Sequence, residues 1–331
     1  MIHDDIWFEM DDGARLYLRR WLPGANPQEP SQPASVLHIV HGMAEHAGRY
    51  GRLAEKLCSA GIEVWAADQR GHGKTADLNV NTAEKGGLLG HCTDKTEKDT
   101  FERIAADIKI INIEIRKTHP GVPLFLLGHS WGSFNVQNYI ETEDKGEGAI
   151  DGCILSGTRG PGGFQVKAGM PVMTLLAAVK GQRKGSSLAK AMADGPYNRA
   201  FRPNRTPSDW LSRDEAEVDA NVNDPLCNNL CSSGFYRDLA RGLYRIHRSK
   251  AMAKIRKDLP IYVFSGSADP VGEMGASTTA LVNIYRSLGI KDLEFVLYPG
   301  ARHELLNEIN REEVMENLLG WILRHGAAKK N

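Results

Sequence analysis

The stretch VPLFLLGHSWGSFNVQNYIE occupies residues 122–141 and contains an apolar run, a serine between two glycines, and a run with helical spacing. The apolar run at 122–128 predicts a buried strand, and the run at 133–141 predicts a helix. Ser130 lies between them in the pattern G-x-S-x-G. A serine at a sharp turn from strand to helix is strained, exposed at the tip and close to unsatisfied N–H groups. We therefore interpret Ser130 as a candidate nucleophile rather than as an ordinary serine in a glycine-rich turn.

The same alternation of strands and helices continues on both sides of this stretch. Further strands are predicted at 36–40, 62–68, 150–157, 260–266 and 293–300, and helices at 49–61, 97–118 and near 311–325. The N-terminal residues predict a β-hairpin whose turn contains Gly13, and a proline-rich run at 26–35 predicts a loop. Short apolar strands that alternate with helices predict a mostly parallel central sheet with helices on both faces.

The alternation stops between residues 158 and 257, where the sequence predicts helices and loops without a strong strand. One of the predicted helices covers 235–255. A helical insertion within an α/β pattern that later resumes is typical of a cap on a sheet domain. We therefore predict a core formed by residues 1–157 and 258–331 and a helical cap, or lid, formed by residues 158–257.

Composition excludes several classes of protein. The 331 residues contain 41 Lys plus Arg and 41 Asp plus Glu, so the formal net charge is zero and no nucleic-acid partner is predicted. The N-terminus does not resemble a signal peptide, and no segment is apolar enough for a membrane span. We therefore predict a cytoplasmic protein. The five cysteines predict free thiols, since Cys227 and Cys231 have no second pair with which to form a metal site.

A serine nucleophile needs a base, and the base needs an acid that holds its tautomer. His303 follows the last predicted strand, and Asp269 follows the strand before it. Both therefore belong to loops at the carboxyl edge of the sheet, where the sites of open α/β sheets are found. The chain order Ser130, Asp269, His303 is the order of the α/β-hydrolase fold, and we predict that fold and that catalytic triad.

The tetrahedral intermediate of such a reaction needs two N–H donors for its oxyanion. One should be the backbone N–H of Trp131, which follows the nucleophile. The other should come from the loop after an earlier strand, and the segment HGMAEHAGRY at 41–50 supplies Met43. His41 is expected to brace this loop, Gly42 is expected to contact the substrate, and His46 is expected either to brace the loop or to line the pocket.

Five motifs together resemble the monoacylglycerol lipase and lysophospholipase group of α/β-hydrolases, which are called serine aminopeptidase S33-like. These motifs are HGMAEHAGRY, DQRGHGKT at 68–75, GHSWG, GSADPV and GARHE. The resemblance covers almost the whole chain, and it implies the same triad and the same oxyanion donors. It also implies that Asp68, in DQRGHGKT, is a structural brace and not a catalytic acid. The family commonly has a methionine where this chain has Trp131, which leaves the effect of the indole on the pocket open.

The leading interpretation is a serine carboxylic ester hydrolase that acts through an acyl-enzyme on a monoacylglycerol, a lysophospholipid or a similar ester. No cofactor and no metal are predicted. The run AGMPVMTLLAAV at 168–179 is either an ordinary packed helix or a greasy lid that guides acyl chains and transiently touches a membrane surface. We predict that Met170, Met173 and Leu176 contact the substrate. The alternatives are an aminopeptidase or amidase, and a hydrolase-fold binding protein without turnover.

Overall fold

The computed structural model describes residues 2–24, 32–94, 99–162, 164–193 and 195–328, and for residues 2, 164–168 and 328 it describes only the backbone. Part of the predicted proline-rich loop, residues 26–31, lies outside these ranges. Residues 97 and 98 at the start of one predicted helix also lie outside them.

The centre of the protein is an eight-stranded sheet. Its strands are β1 (Ile2–Glu9), β2 (Arg15–Leu22), β3 (Ser35–Val40), β4 (Ile62–Ala67), β5 (Leu124–His129), β6 (Gly152–Ser156), β7 (Ile261–Gly266) and β8 (Leu293–Tyr298). The spatial order is β1-β2-β4-β3-β5-β6-β7-β8. The hairpin β1–β2 and the pair β2–β4 are antiparallel, and all other pairs are parallel. The predicted mostly parallel sheet is confirmed.

The parallel strands are uniform in burial because helices cover both of their faces. Every residue of β3 to β7 is buried, whereas the edge strand β8 is mainly half-buried. Continuous apolar runs are the pattern expected for strands without a solvent face. This burial fixes the strand ends rigidly, and the loops that follow them carry the candidate site.

Ten α-helices occur in the described ranges. They are α1 (Gly51–Ser59), α2 (Thr100–Thr118), α3 (Trp131–Thr142), α4 (Phe164–Lys180), α5 (Ser187–Ala193), α6 (Glu215–Asn223), α7 (Ser233–Ile246), α8 (Ser249–Met252), α9 (Ala276–Ser287) and α10 (Arg311–Ala328). Apolar residues of α1 and α10 pack on one face of the sheet. Those of α2, α3 and α9 pack on the other face. Within these ranges, no helix combines the length and the apolar character that a membrane span requires.

Helices α4 to α8 lie between β6 and β7, in the stretch predicted as a cap. The helix predicted over 235–255 is interrupted: α7 ends at Ile246, and Arg248 has extended backbone angles before α8 begins. Helix α7 packs against α2 and α3. A Cβ atom at Gly242 of α7 would lie 2.2 Å from the Phe101 ring, so this packing is very close. Part of the predicted cap, helix α7, therefore packs directly on α2 and α3, which cover one face of the sheet.

Candidate active site

Ser130 sits at the turn between β5 and α3. Its backbone has φ +52° and ψ −122°, which is strained for a residue with a side chain. The turn is tight enough to exclude side chains on both flanks. A Cβ at Gly128 would lie 2.5 Å from the Gly132 carbonyl oxygen, and one at Gly132 would lie 2.0 Å from that of Val40. The sequence therefore builds the strained serine turn that the G-x-S-x-G pattern predicts.

Asp269 and His303 form a buried pair on the loops after β7 and β8. His303 Nδ1 lies 3.0 Å from each carboxylate oxygen of Asp269, and the Val271 N–H donates to Asp269 Oδ1 at 2.9 Å. Asp269 is completely buried and His303 is 1% exposed. The carboxylate accepts a hydrogen bond from Nδ1–H, so the neutral ring presents Nε2 as its acceptor.

The electrostatic surroundings of His303 favour its protonated form. Burial alone would lower the pKa of His303. The charge of Asp269, its hydrogen bond to the ring, and the charges of Glu304 and Glu45 together outweigh burial, so the pKa of His303 lies above its usual value. Its Nε2 is buried and has no hydrogen-bond partner in the described part of the chain. The Ser130–His303 hydrogen bond is therefore not formed in this structure. A base whose acceptor nitrogen is unoccupied can take a proton from a group that enters the cavity beside it.

Ser130 and His303 line one cavity of about 560 Å³. The loop after β3 forms the adjacent wall: a Cβ at Gly42 would lie 3.2 Å from Ser130 Cβ, and Met43 also lines the cavity. Trp131 is the first residue of α3, so its N–H belongs to the group that has no partner within the helix. The structure thus brings the two predicted oxyanion residues to either side of the serine, and their donor roles remain predictions.

The Trp131 indole does not line this cavity. It is 2% exposed and stacks on His72, with ring centroids 5.0 Å apart and an interplanar angle of 25°. The Phe235 ring of α7 contacts it from a second direction, also at 5.0 Å. The side chain at the position of the family's methionine therefore packs beneath α7 and lies outside the cavity wall.

The residues expected to brace loops do so through hydrogen bonds. Asp68 accepts from the backbone N–H groups of Ala47 and Lys74, at 2.8 and 2.7 Å. His41 Nε2 accepts from the N–H of Gln69, so its Nδ1 carries the proton and donates to the Gly42 carbonyl at 2.8 Å. Burial lowers the pKa of His41 to about 4, which keeps the ring neutral. Both predictions of a structural role are confirmed.

Four of the predicted substrate contacts do not line the cavity that holds Ser130; they are His46, Met170, Met173 and Leu176. His46 lies on the far side of the loop, where its Nε2 is 2.9 Å from Asp224 Oδ2 and its Nδ1 accepts from the Gly48 N–H. Of its two open interpretations, the structure shows the brace. The other three belong to α4, which packs against α7. There Met173 is buried and Leu176 packs against the core.

Two groups of described residues have the composition of a metal site. In the first, ligand atoms of His46, Asp224 and Cys227 lie within 4.8 Å of one another. His46 Nδ1 accepts a backbone N–H, so its Nε2 carries the proton that it donates to Asp224. A histidine that binds a metal uses one ring nitrogen as the ligand and donates a proton from the other. Both ring nitrogens of His46 are already hydrogen-bonded to protein groups, so this arrangement ties His46 to Asp224 and does not form a metal site. The second group, Asp292, Glu294 and His325, lies at the exposed edge of β8. All five cysteines are buried, and none of them forms a disulfide among the described residues.

A buried ionic cluster beside the site was missed by the sequence patterns. Arg49 contacts Glu45, which precedes it by four residues, and Glu304, which follows the candidate base. Glu45 also accepts from the Gly42 N–H and from the Tyr50 hydroxyl. The charge of Arg49 outweighs the effect of burial, lowering the pKa of Glu304 and that of Glu45, the latter to about 2. Both carboxylates are therefore ionised and structural.

Proteins of known name resemble this chain over nearly its whole length. The family described as "Serine aminopeptidase, S33" matches residues 31–310. A monoacylglycerol lipase of Mycolicibacterium smegmatis is 27% identical over 313 residues, which are 95% of this chain and 94% of that protein. The monoglyceride lipase of Homo sapiens is 28% identical over 326 residues, which are 96% and 89% of the two chains.

A solved structure has the same fold at a similar level of identity. It is a highly thermostable carboxyl esterase from Bacillus coagulans in complex with glycerol. It superposes with a TM-score of 0.85 at 27% identity, and the match covers 98% of this chain and 99% of that one.

Proposed function

The chain belongs to the serine aminopeptidase S33 family of hydrolases, and from this we propose a serine carboxylic ester hydrolase that cleaves monoacylglycerols. One observation carries the proposal: the buried His303–Asp269 pair presents an unoccupied Nε2 in the wall of the cavity that holds strained Ser130. The names of the relatives support an ester as the substrate, since they include monoacylglycerol lipases and a carboxyl esterase.

In the proposed reaction, Ser130 Oγ attacks the acyl carbonyl carbon while His303 Nε2 takes its proton. The carbonyl oxygen becomes an oxyanion, which the N–H groups of Met43 and Trp131 stabilise. The ester C–O bond then breaks, and His303 gives the proton to the leaving alcohol. A water repeats the sequence on the acyl-enzyme, so that the acid leaves and Ser130 regains its proton. Asp269 stays ionised and holds the ring in the required tautomer.

The cavity supports a substrate with one acyl chain. Its volume of about 560 Å³ lies within the usual range of ~300–1,000 Å³ for small-molecule sites. Its wall combines polar groups, among them His129 and Glu304, with apolar side chains from the predicted cap, among them Trp210 and Val222. Such a wall suits an ester that has both a polar alcohol and an acyl chain.

An aminopeptidase would need a free carboxylate to bind the substrate's ammonium group. The two carboxylates in the cavity wall, Glu45 and Glu304, are already bound to Arg49. Acids of the run RDEAEVD at 213–219, in the predicted cap, are also paired. Glu217 contacts Arg52, Asp219 contacts Arg205, and Asp214 contacts Arg311. These pairings favour an ester over a peptide. Because all three predicted triad residues are present, a binding protein without turnover is the weaker alternative.

We further propose a cytoplasmic enzyme that touches a membrane surface through α4. Val172, Leu175 and Val179 of this helix are 40%, 64% and 75% exposed. Their spacing of three and four residues places them on one face of the helix. An exposed apolar face on the predicted cap is suited to contact with lipid, from which the substrate would be collected.

Hydrolysis by wild type and by Ser130→Ala tests the reaction. Both are assayed on monoacylglycerols, lysophospholipids and aminoacyl amides, and a fluorophosphonate probe is used to label the nucleophile. We expect the highest kcat/KM on monoacylglycerols, labelling of Ser130, and loss of both hydrolysis and labelling in Ser130→Ala. Ser187→Ala is the matched control, because Ser187 lines the same cavity from α5. Retained activity in Ser130→Ala would exclude Ser130 as the nucleophile. A higher kcat/KM on aminoacyl amides than on the esters would exclude an ester as the preferred substrate.

A further inference from the structure

Trp210, from the stretch predicted as a cap, packs directly on His303. The centroid of its ring lies 5.0 Å from that of the imidazole, with an interplanar angle of 35°. Trp210 also lines the cavity together with Ser130 and His303. It is half-buried, so it contacts both the catalytic loop and the space that a substrate would occupy. It belongs to none of the five motifs and to none of the predicted triad or oxyanion positions.

Trp210 is held in place through both its backbone and its ring. Its backbone N–H donates to Asn198 Oδ1 at 3.0 Å. The Tyr197 ring packs against the indole, with ring centroids 5.1 Å apart. The next residue, Leu211, accepts a hydrogen bond of 2.7 Å from the N–H of Glu304. The segment that carries the indole is thus bonded to the residue adjacent to the base. The position of Trp210 is therefore coupled to the position of the His303 loop.

We propose that Trp210 is a positioning residue for the catalytic base: it holds the His303 imidazole in place and stabilises the imidazolium that forms during acylation. The inference rests on the proposed function, in which His303 takes the proton of Ser130. A cation within about 6 Å of an indole is attracted to the ring face. The attraction exists only after proton transfer, so it acts on the transition state more than on the ground state.

Titratable groups also face His303, and their effect on the base differs from that of the Trp210 ring. They are Asp269 after β7, His129 at the end of β5, Glu45 after β3, and Glu304 on the same loop. Burial, followed by the charge of His303, lowers the pKa of His129 to about 4, so His129 is neutral at pH 7. The carboxylates act by charge and stay unchanged when Trp210 is replaced. A substitution at Trp210 therefore removes the aromatic contact with His303 and leaves the charges around the base in place.

The test compares Trp210→Leu, which retains apolar bulk, with Trp210→Phe, which retains an aromatic face. The pH dependence of kcat/KM for p-nitrophenyl acetate is measured, since this short ester does not depend on acyl-chain contacts. Loss of a contact that favours the imidazolium lowers the apparent pKa of the base. For Trp210→Leu we expect a downward shift of the apparent pKa by about half a unit and a fall in kcat of about threefold. Trp210→Phe should recover most of both.

Phe201→Leu is the matched control, because Phe201 is a nearby aromatic residue that packs on Arg302 at 4.2 Å. It should leave the pH profile unchanged. An unshifted profile in Trp210→Leu, or a Trp210→Phe profile that matches that of Trp210→Leu, would overturn the proposal. Failure of the proposed function is recognised separately, as esterase activity that persists in Ser130→Ala.

Discussion

Arg49 forms a two-pronged ion pair with Glu304, through Nη1 to Oε1 at 2.6 Å and Nη2 to Oε2 at 2.7 Å. The same Nη1 donates to Glu45 at 2.9 Å. Glu304 follows the candidate base, and Glu45 holds the N–H of Gly42 beside the nucleophile. One guanidinium thus joins the loop of the base to the loop of the predicted oxyanion donors. The relative position of the two loops depends on this buried cluster.

Arg49→Met should therefore be strongly destabilising. It leaves two buried carboxylates without their cation, which costs about 3–5 kcal/mol of unfolding free energy for a broken buried pair. Urea denaturation at pH 7 measures the change. Arg52→Met is the control, since Arg52 pairs with Glu217 at the surface and should contribute less than ~1 kcal/mol. Similar losses in the two variants would contradict the structural role of the cluster.

The pH dependence of hydrolysis should reflect the raised pKa of His303. Only the neutral ring can accept the proton of Ser130, so kcat/KM should rise with pH and level off above a midpoint higher than that of an ordinary histidine. In Asp269→Asn, burial acts without the opposing carboxylate, so the midpoint should move to lower pH. The tautomer is also lost, and kcat should fall about 10³- to 10⁴-fold.

Asp258→Asn serves as the control for this measurement, because Asp258 precedes β7 at the opposite edge of the sheet and its side chain is 70% exposed. Its profile should overlay that of wild type. A midpoint in Asp269→Asn equal to that of wild type would argue against the Asp269–His303 pair as the source of the raised pKa.

Trp131→Met should affect stability and leave the choice of substrate unchanged. The indole packs between His72 and Phe235 and lies outside the cavity, so its loss leaves a gap under α7 that costs about 1–3 kcal/mol. The kcat/KM values for esters of increasing chain length should keep their order. Ala191→Trp, which introduces an indole into the cavity wall, should shift the preference to shorter chains. A similar shift in Trp131→Met would show that the indole reaches the acyl site.

Local sequence patterns were sufficient to predict the candidate catalytic residues that follow the strands. Ser130, Asp269 and His303 lie in the turns or loops after β5, β7 and β8, so the parallel strand order alone brings them to one edge. Arg49 and Glu304 are 255 residues apart, and no local spacing relates them. Trp210 lies in the predicted cap, and no local spacing relates it to His303. The apolar run of α4 predicted neither which side chains turn inward nor that the helix would pack against α7, because both depend on tertiary packing.

Glu141 on α3 should make the protein less stable as the pH rises. Burial raises the pKa of this carboxyl to about 9, and its Oε1 has no hydrogen-bond partner among the described residues. The folded state therefore holds a proton that the unfolded state releases near pH 4.5. The resulting stability is complete below that pH and is lost as the pH rises through about 9.

Glu141→Gln removes the titration. The substitution should raise the free energy of unfolding at pH 8 by an amount on the order of a few kcal/mol, and it should change the value at pH 4 little. Urea denaturation at both pH values measures the effect. Glu147→Gln, at an exposed position in the following loop, should change neither value. A gain that is equal at pH 4 and pH 8 would mean that packing, and not the proton, is responsible.

The exposed face of α4 should determine binding to lipid without determining the chemistry. Leu175→Ser/Val179→Ser removes two side chains that are 64% and 75% exposed, and it should weaken binding to phospholipid vesicles about tenfold or more. Co-sedimentation measures binding, and p-nitrophenyl acetate hydrolysis, expected to be unchanged, confirms an intact site. Leu78→Ser/Ile309→Ser is matched in exposure, at 62% and 61%, but lies outside α4. If both double variants lose vesicle binding equally, general surface hydrophobicity explains the contact and α4 has no special part in it.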